Sequence, residues 1–328
     1  MSMKVSLIVP VYNAEKTLPA LLDSIRNQRF RDFEVIFSED AGTDGSVALL
    51  EDFCRTSGLP CRLLRQSVNQ GAAAARNRAM DVAKGEYLAF ADADDRLEPQ
   101  LLEQAVQAAQ SSAGPVDLVG WDWALDLNRR GRTMRQADYR TPLEAFRNLT
   151  GGTMRWNLWL FLVRRDLVER NAIRFIPGAD IGEDMQFLLR SCLCAETAVQ
   201  LHVPLYRYNA VNDASISKAF TPEKRKQVET NLAAAEQDFD RSAFRTELPD
   251  ALLDLKLYLK RPLLIGTDRR NYETWYGWFP EANARARKRA ALPLHTWLLQ
   301  AMAARRMWTG VRIYYWLIHK MMYGILYR

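Results

Sequence analysis

Short apolar runs alternate with helical stretches through the first hundred residues, and a chain patterned this way is confined to a sheet covered by helices. Val5 to Val9 is a largely β-branched run closed by Pro10, and Thr17 to Gln28 sets Leu18, Leu21, Leu22 and Ile25 at helical spacing. Glu34 to Phe37, Gly45 to Thr56, Cys61 to Leu64, Ala72 to Ala83 and Tyr87 to Ala91 continue the alternation, which predicts strand, helix, strand, helix and strand. Strands joined through helices run parallel and are covered on both faces, so the expected fold class is α/β. A helix over Pro99 to Ser111 and a strand over Asp117 to Gly120 follow, then an Arg-rich turn, Arg129 to Arg135, and helices over Trp156 to Val168 and Glu183 to Ala195. From Thr221 the spacing is almost purely helical, which sets a boundary near residue 220.

A chain of 328 residues with 48% hydrophobic side chains can bury a sizeable core in about two domains. Its 45 basic side chains exceed its 39 acidic ones, and the excess lies at one end: residues 281–328 hold nine basic side chains and Glu281 as their one acid, a charge of +8. The remaining chain is slightly acidic, which argues against a nucleic-acid partner. Cys54, Cys61, Cys192 and Cys194 show no zinc-type spacing with histidine, and a chain this large needs no disulfides, so a reducing, cytoplasmic address is expected. Met1 to Val11 is too short for a signal peptide, and no stretch reaches the roughly 18 uncharged apolar residues of a spanning helix. His202, His295 and His319 are scattered and form no metal cluster.

In parallel sheets the ligand crevice lies beyond the carboxyl ends of the strands, and there this chain is acidic. The run Tyr87 to Ala91 ends in Asp92-Ala93-Asp94-Asp95. Strand alternation would bring Asp92 and Asp94 to one side, where two carboxylates can share a hard divalent cation with a substrate's phosphates. The alternative is structural, with Asp95 capping the helix that begins near Pro99. Pro10-Val11-Tyr12-Asn13 and Asp40 end the first two strands, and an aromatic ring beside a carboxylate acceptor suits a nucleobase. Asp44 and Ser46 are read as caps of the next helix. Neither strand leads into a dinucleotide fingerprint or a P-loop, which counts against a dehydrogenase and a P-loop hydrolase.

As an ordered set, Pro10 to Asn13, Asp40 to Asp44, Asn69-Gln70-Gly71 running to Ala75-Arg76-Asn77, Gly85-Glu86-Tyr87 and Asp92 to Asp95 closely resembles the inverting family-2 glycosyltransferases of bacterial surface-polysaccharide synthesis. Arg174-Phe175, Gly182-Glu183-Asp184, Leu205 to Tyr208 and Ser215-Ile216-Ser217 look like the acceptor side of that family, so the resemblance covers residues 4–217. It implies a GT-A fold, in which a Rossmann-like sheet with helices on both faces binds a nucleotide-sugar, here followed by a helical C-terminal region. By the same resemblance Pro10, Val11, Tyr12, Glu15, Asp40, Arg76, Asp92 and Ala93 would line the nucleotide-sugar site, with UDP as the nucleotide. Asp92 and Asp94 would hold Mn2+ or Mg2+, and Asp184 would be the catalytic base. The implied domains are a nucleotide-sugar half (1–118), an acceptor half (119–220) and the helical region (221–328). Two departures stand out: Glu39-Asp40-Ala41-Gly42 replaces the family's Asp-Asp-Gly-Ser, and Trp156 to Trp159 lacks a lysine often found there.

The tail from Leu294 mixes Trp297, Trp308, Tyr314, Tyr315, Trp316, Tyr323 and Tyr327 with Arg305, Arg306, Arg312 and Lys320. Such a segment suits an anionic membrane surface and would also suit a helix packed on the body. A glycan or lipid-linked glycan acceptor favours the membrane. Two other functions fit parts of the pattern. One is a catalytically silent nucleotide-sugar-binding subunit, which needs no positioned base. The other is a nucleotidyltransferase, which should carry a basic phosphate-activating loop, and Lys16 alone does not make one.

Overall fold

A computed structural model describes residues 3–111, 114–127, 130–209, 221–288 and 293–318. Ser215 to Ser217, Arg129, His319, Lys320, Tyr323 and Tyr327 lie outside the described residues. Two compact units form, one from residues 1–146 and 155–242, the other from 147–154 and 243–328.

The first unit begins as the alternation predicts: β1 (Val5–Val11), α1 (Leu18–Arg26), β2 (Phe33–Glu39), α2 (Ser46–Thr56), β3 (Cys61–Arg65), α3 (Ala72–Val82) and β4 (Tyr87–Phe90). Val5, Leu7, Ile8, Val35, Ile36 and Phe37 are wholly buried, because the two central strands are covered on both faces. The helices turn one apolar stripe inward, as with Leu18, Leu21, Leu22 and Ile25 of α1. After β5 (Arg96–Leu97), α4 (Leu101–Ala109) and the small hairpin of β6 (Gln110–Ser111) and β7 (Gly114–Pro115) come β8 (Leu118–Leu127), β9 (Arg130–Met134), α5 (Pro142–Gly151), β10 (Phe161–Arg164), α6 (Arg165–Arg170), α7 (Glu183–Cys194), β11 (Ala198–Asn209) and α8 (Pro222–Arg241).

The main sheet has the order β3-β2-β1-β4-β10-β8-β11-β5, with β9 added to β8. It is parallel from β3 to β4 and mixed beyond, since β10 runs antiparallel to both β4 and β8 and β5 antiparallel to β11. A wholly parallel sheet, as expected from the first four strands, is therefore corrected. So is the helix over Trp156 to Val168. A 3-10 turn at Leu158–Leu160 leads into β10, and only Arg165–Arg170 is helical. The apolar run Leu158 to Val163 is wholly buried, and a short buried run has the same composition in a central strand as in a helix.

The cysteine expectation also changes. Cys54 in the last turn of α2 and Cys61 at the first residue of β3 form a disulfide, whereas Cys192 and Cys194 are free. Cysteine usage thus no longer supports a reducing compartment.

The second unit comprises α9 (Phe244–Glu247), α10 (Ala251–Lys260), α11 (Arg269–Gly277), α12 (Ala282–Ala286), α13 (Leu294–Ala303) and α14 (Trp308–Ile318). Its core holds a buried cation. The Lys260 ammonium donates to Trp278 O at 3.1 Å, Phe279 O at 3.1 Å and Asn283 Oδ1 at 2.6 Å, and lies 4.1 Å from the centre of the Trp275 ring. Three acceptors and an aromatic face offset part of the cost of burying the charge, and burial still pulls the Lys260 pKa down to about 7.

Candidate active site

The acidic motif lies just past β4. Ala91 N–H still bonds Ile8 O, and Asp92 to Asp95 then form a turn closed by Asp95 N–H to Asp92 O at 3.2 Å. Asp92 and Asp94 are therefore placed by a turn, not by strand alternation, and both are half-buried. Asp95 does not cap α4. It is buried, accepting from Tyr206 Oη at 3.0 Å and Asn209 N at 2.8 Å, while Asp92 N donates to the same Tyr206 hydroxyl. Tyr206 in turn stacks on Trp159 with ring centres 4.4 Å apart. No local pattern announces this support, because Asp92 and Asp95 are more than 110 residues from Tyr206 and Asn209.

Arg76, on α3, draws the two halves of the motif set together. It is buried, and its guanidinium reaches Glu183 Oε1 at 2.8 Å, Asp92 Oδ1 at 3.3 Å and Asp184 Oδ1 at 3.4 Å. One cation thus faces three carboxylates. Loss of hydration raises the pKa of Glu183, with Asp184 adding to the effect and Arg76 opposing it. Loss of hydration likewise raises Asp92, opposed by Arg76 and reinforced by Asp184 and Asp94. Asp184 is also raised by lost hydration against the pull of Arg76. Its Oδ2 accepts from Leu158 N at 3.2 Å, and its Oδ1 has no hydrogen-bond donor. Glu183 as the tightest partner of Arg76 went unseen in the sequence, where it was only the neighbour of Asp184.

At the other strand ends Tyr12 is exposed, at 53%, and Asp40 is buried at 3%. Asp40 Oδ1 accepts from Gln66 Nε2 at 2.5 Å and Gln70 N at 2.9 Å, and Oδ2 from Gly71 N at 2.8 Å. One more lone pair remains on Oδ2. Pro10 and Val11 lie at the end of β1, whose backbone is tied to the next loop by Asp40 N–H to Val11 O. Glu15 is exposed and accepts from Gly45 N at 3.0 Å, at the start of α2. Asp44 accepts from Ser46 N and Glu15 N, but the cap position of α2 is Gly45 and the Ser46 hydroxyl accepts from Ala14 N, so the two side chains tie the first loop to α2 and the expected side-chain cap is corrected. Ala93 sits within the acidic turn and accepts from Thr17 Oγ1 through its carbonyl.

The residues fit a hard cation in a specific way. Among the described residues no group of three or more His, Cys, Asp or Glu is arranged around a common ion site. Two half-buried carboxylates in one turn match the sparse protein coordination that Mg2+ accepts beside a nucleotide, and added positive charge would oppose the effects of lost hydration and of Asp184 and Asp94 that raise Asp92.

The chain matches the model of glycosyl transferase family 2 over residues 6–171. Putative glycosyltransferase EpsH of Bacillus subtilis is 31% identical over 239 residues, which span 71% of this chain and 67% of that protein. In fold the chain is similar to S. aureus TarS 1–349, solved with UDP-GlcNAc, with a TM-score of 0.73 and 20% identity over 97% of this chain and 92% of that one. It is also similar to the mannosyltransferase PcManGT of Pyrobaculum calidifontis, solved with GDP-Man and Mn2+, with a TM-score of 0.56 and 20% identity over 96% and 85% of the two chains. Motif order, sheet and matched residues agree, and the chain belongs to glycosyltransferase family 2, with the GT-A fold.

Proposed function

We propose that this glycosyltransferase moves a sugar from UDP to an acceptor hydroxyl with inversion at the anomeric carbon, in the synthesis of a surface polysaccharide or lipid-linked glycan. The convergence of Arg76, Asp92, Glu183 and Asp184 supports this most, because it joins the donor-side motif to the acceptor-side motif around one guanidinium. In this reading residues 1–118 hold the donor, 119–220 receive the acceptor and 221–328 form the helical region, of which α8 stays with the first unit and the later helices serve association with a membrane. Tyr12 stacks on uracil and the remaining lone pair of Asp40 accepts its ring N–H. Pro10, Val11, Glu15, Arg76, Asp92 and Ala93 line the rest of the donor site.

Asp184 takes the acceptor proton. It is half-buried, its Oδ1 accepts no hydrogen bond, and its raised pKa makes it a better base than an exposed aspartate; such a role contributes about 10²–10⁴-fold in rate. Asp92 and Asp94 would hold Mn2+ or Mg2+, which when bound supplies positive charge against the departing diphosphate. UDP should bind more tightly than GDP in calorimetry, and hydrolysis of a nucleotide-sugar panel should require Mn2+ or Mg2+. Tighter binding of GDP would overturn the donor assignment.

The second unit supports a peripheral position on an anionic membrane. No helix among the described residues is long and apolar enough to cross a membrane. Leu294, Leu298, Met307, Ile313, Trp316 and Leu317 are nevertheless exposed, with Arg305, Arg306 and Arg312 exposed among them. Apolar side chains ringed by cations suit the interface of a charged bilayer. The intact protein should float with anionic vesicles at low salt, and both raised salt and truncation before Leu294 should release it. No flotation at low salt would reduce these helices to a packing role. The cytoplasmic placement rests on the nucleotide-sugar donor and this tail.

A further inference from the structure

Asp180 belongs to none of the motifs above, yet it makes a close contact across 107 residues. Its Oδ1 accepts from Ala73 N at 2.7 Å, in the first turn of α3. A Cβ on Gly71, which has φ of +88°, would lie within van der Waals overlap of its carboxylate. Glycine at 71 is thus required both by backbone conformation and by the approach of Asp180.

The segment that carries Asp180 is fastened to α3 at three successive places. Asn77 exchanges hydrogen bonds with Phe175 through Nδ2 to O at 2.9 Å and N to Oδ1 at 3.0 Å. Asp180 bonds Ala73, and one turn further along α3 Arg76 pairs with Glu183 and Asp184. Between these points lie Gly178 and Gly182, at φ of +80° and +82°, which allow the segment many conformations unless its middle is held. Asn231 of α8 holds the far side by donating to Ala179 O and Ile181 O. On the α3 side the middle is held by Asp180.

We propose that Asp180 is a positioning residue for Asp184: it fixes the register between α3 and the start of α7, so that Asp184 is presented at a set place against Arg76. The proposal rests on the reading of Asp184 as the base. Without Asp180 the segment would be fastened to α3 at its two ends, by Asn77 to Phe175 and by Arg76, whose charge is shared among three carboxylates, and its glycine-flanked middle would be released on that side. A displacement of about 1 Å at a reacting group lowers rate by up to about 10²-fold.

The test compares Asp180→Ala, Asp180→Asn and Asp180→Ala combined with Asp184→Asn in the full chain. It reads amide exchange, UDP binding and turnover of whichever UDP-sugar in a panel is used fastest. Asp180→Ala should speed exchange at residues 181–184 and lower kcat by about 10-fold to 10²-fold, with KM for the donor changed about threefold at most. Asp180→Asn keeps an acceptor for Ala73 N–H and should recover most of both. In the Asp184→Asn background Asp180→Ala should lower kcat little further.

Unchanged exchange and kcat in Asp180→Ala, an Asn variant as impaired as the Ala variant, or an undiminished effect in the Asp184→Asn background would each overturn the proposal. If Asp184→Asn alone left turnover intact, the base assignment would fall, and with it the role given to Asp180. The exchange measurement would then still show whether Asp180 fastens the segment.

Discussion

Asp184→Asn is expected to lower transfer by about 10²-fold or more while UDP affinity stays within about threefold. Asn preserves the size of the side chain and can still accept from Leu158 N, so the start of α7 should keep its place. What is lost is basicity at Oδ1, the oxygen that makes no hydrogen bond and is paired with Arg76 at 3.4 Å. Donor affinity and transfer falling together would move Asp184 into the donor site, and unchanged transfer would place the base elsewhere, with Glu183 next in line. The product gives a second check. One displacement without a covalent intermediate converts an α-linked donor into a β-linked product, so retention seen by NMR would overturn the mechanism. The same variant tests the alternative of a silent nucleotide-sugar-binding subunit, in which no transfer would be found to lose.

Asp94→Ala should lower turnover by about 10²-fold or more and remove the metal dependence of UDP binding, with the fold intact. The fold should survive because Asp94 lies half-buried in a turn whose neighbour Asp95 is tied independently to Tyr206 and Asn209. Turnover measured with Mn2+, with Mg2+ and with chelator, in the wild type and the variant, decides the matter. Near-normal activity in chelator would reduce the acidic turn to a structural element.

The parts of the molecule that could be read from sequence are those governed by local periodicity. β1 to β4 and their helices follow from apolar spacing alone, and the strand ends then locate Tyr12, Asp40 and the acidic turn. β10 could not be found that way. Its side chains are buried on both faces between β4 and β8, so it shows no alternation, and its antiparallel direction depends on partners far away in the chain. The alternative of a cap at Asp95 fails for a related reason: its short spacing to Pro99 suits a cap, whereas its partners Tyr206 and Asn209 arrive from β11. The disulfide was set aside on chain size, yet α2 leads back into β3 so directly that Cys54 and Cys61 meet. Arg76 was legible as part of a motif, but its three carboxylate partners were not.

The beginning of α3 has a consequence for ligand design. Asp40 takes the amides of Gln70 and Gly71, and Asp180 that of Ala73. Two of the backbone donors that a helix start would offer to an anion, and the amide just before it, are thus occupied by the protein's own carboxylates. A phosphate mimic aimed at this helix, as is effective in many dinucleotide-binding sheets, would meet two negative charges in place of a vacant cradle. Inhibitors of this protein would do better to carry a neutral or cationic group toward Asp92, Glu183 and Asp184, where one arginine serves three acids.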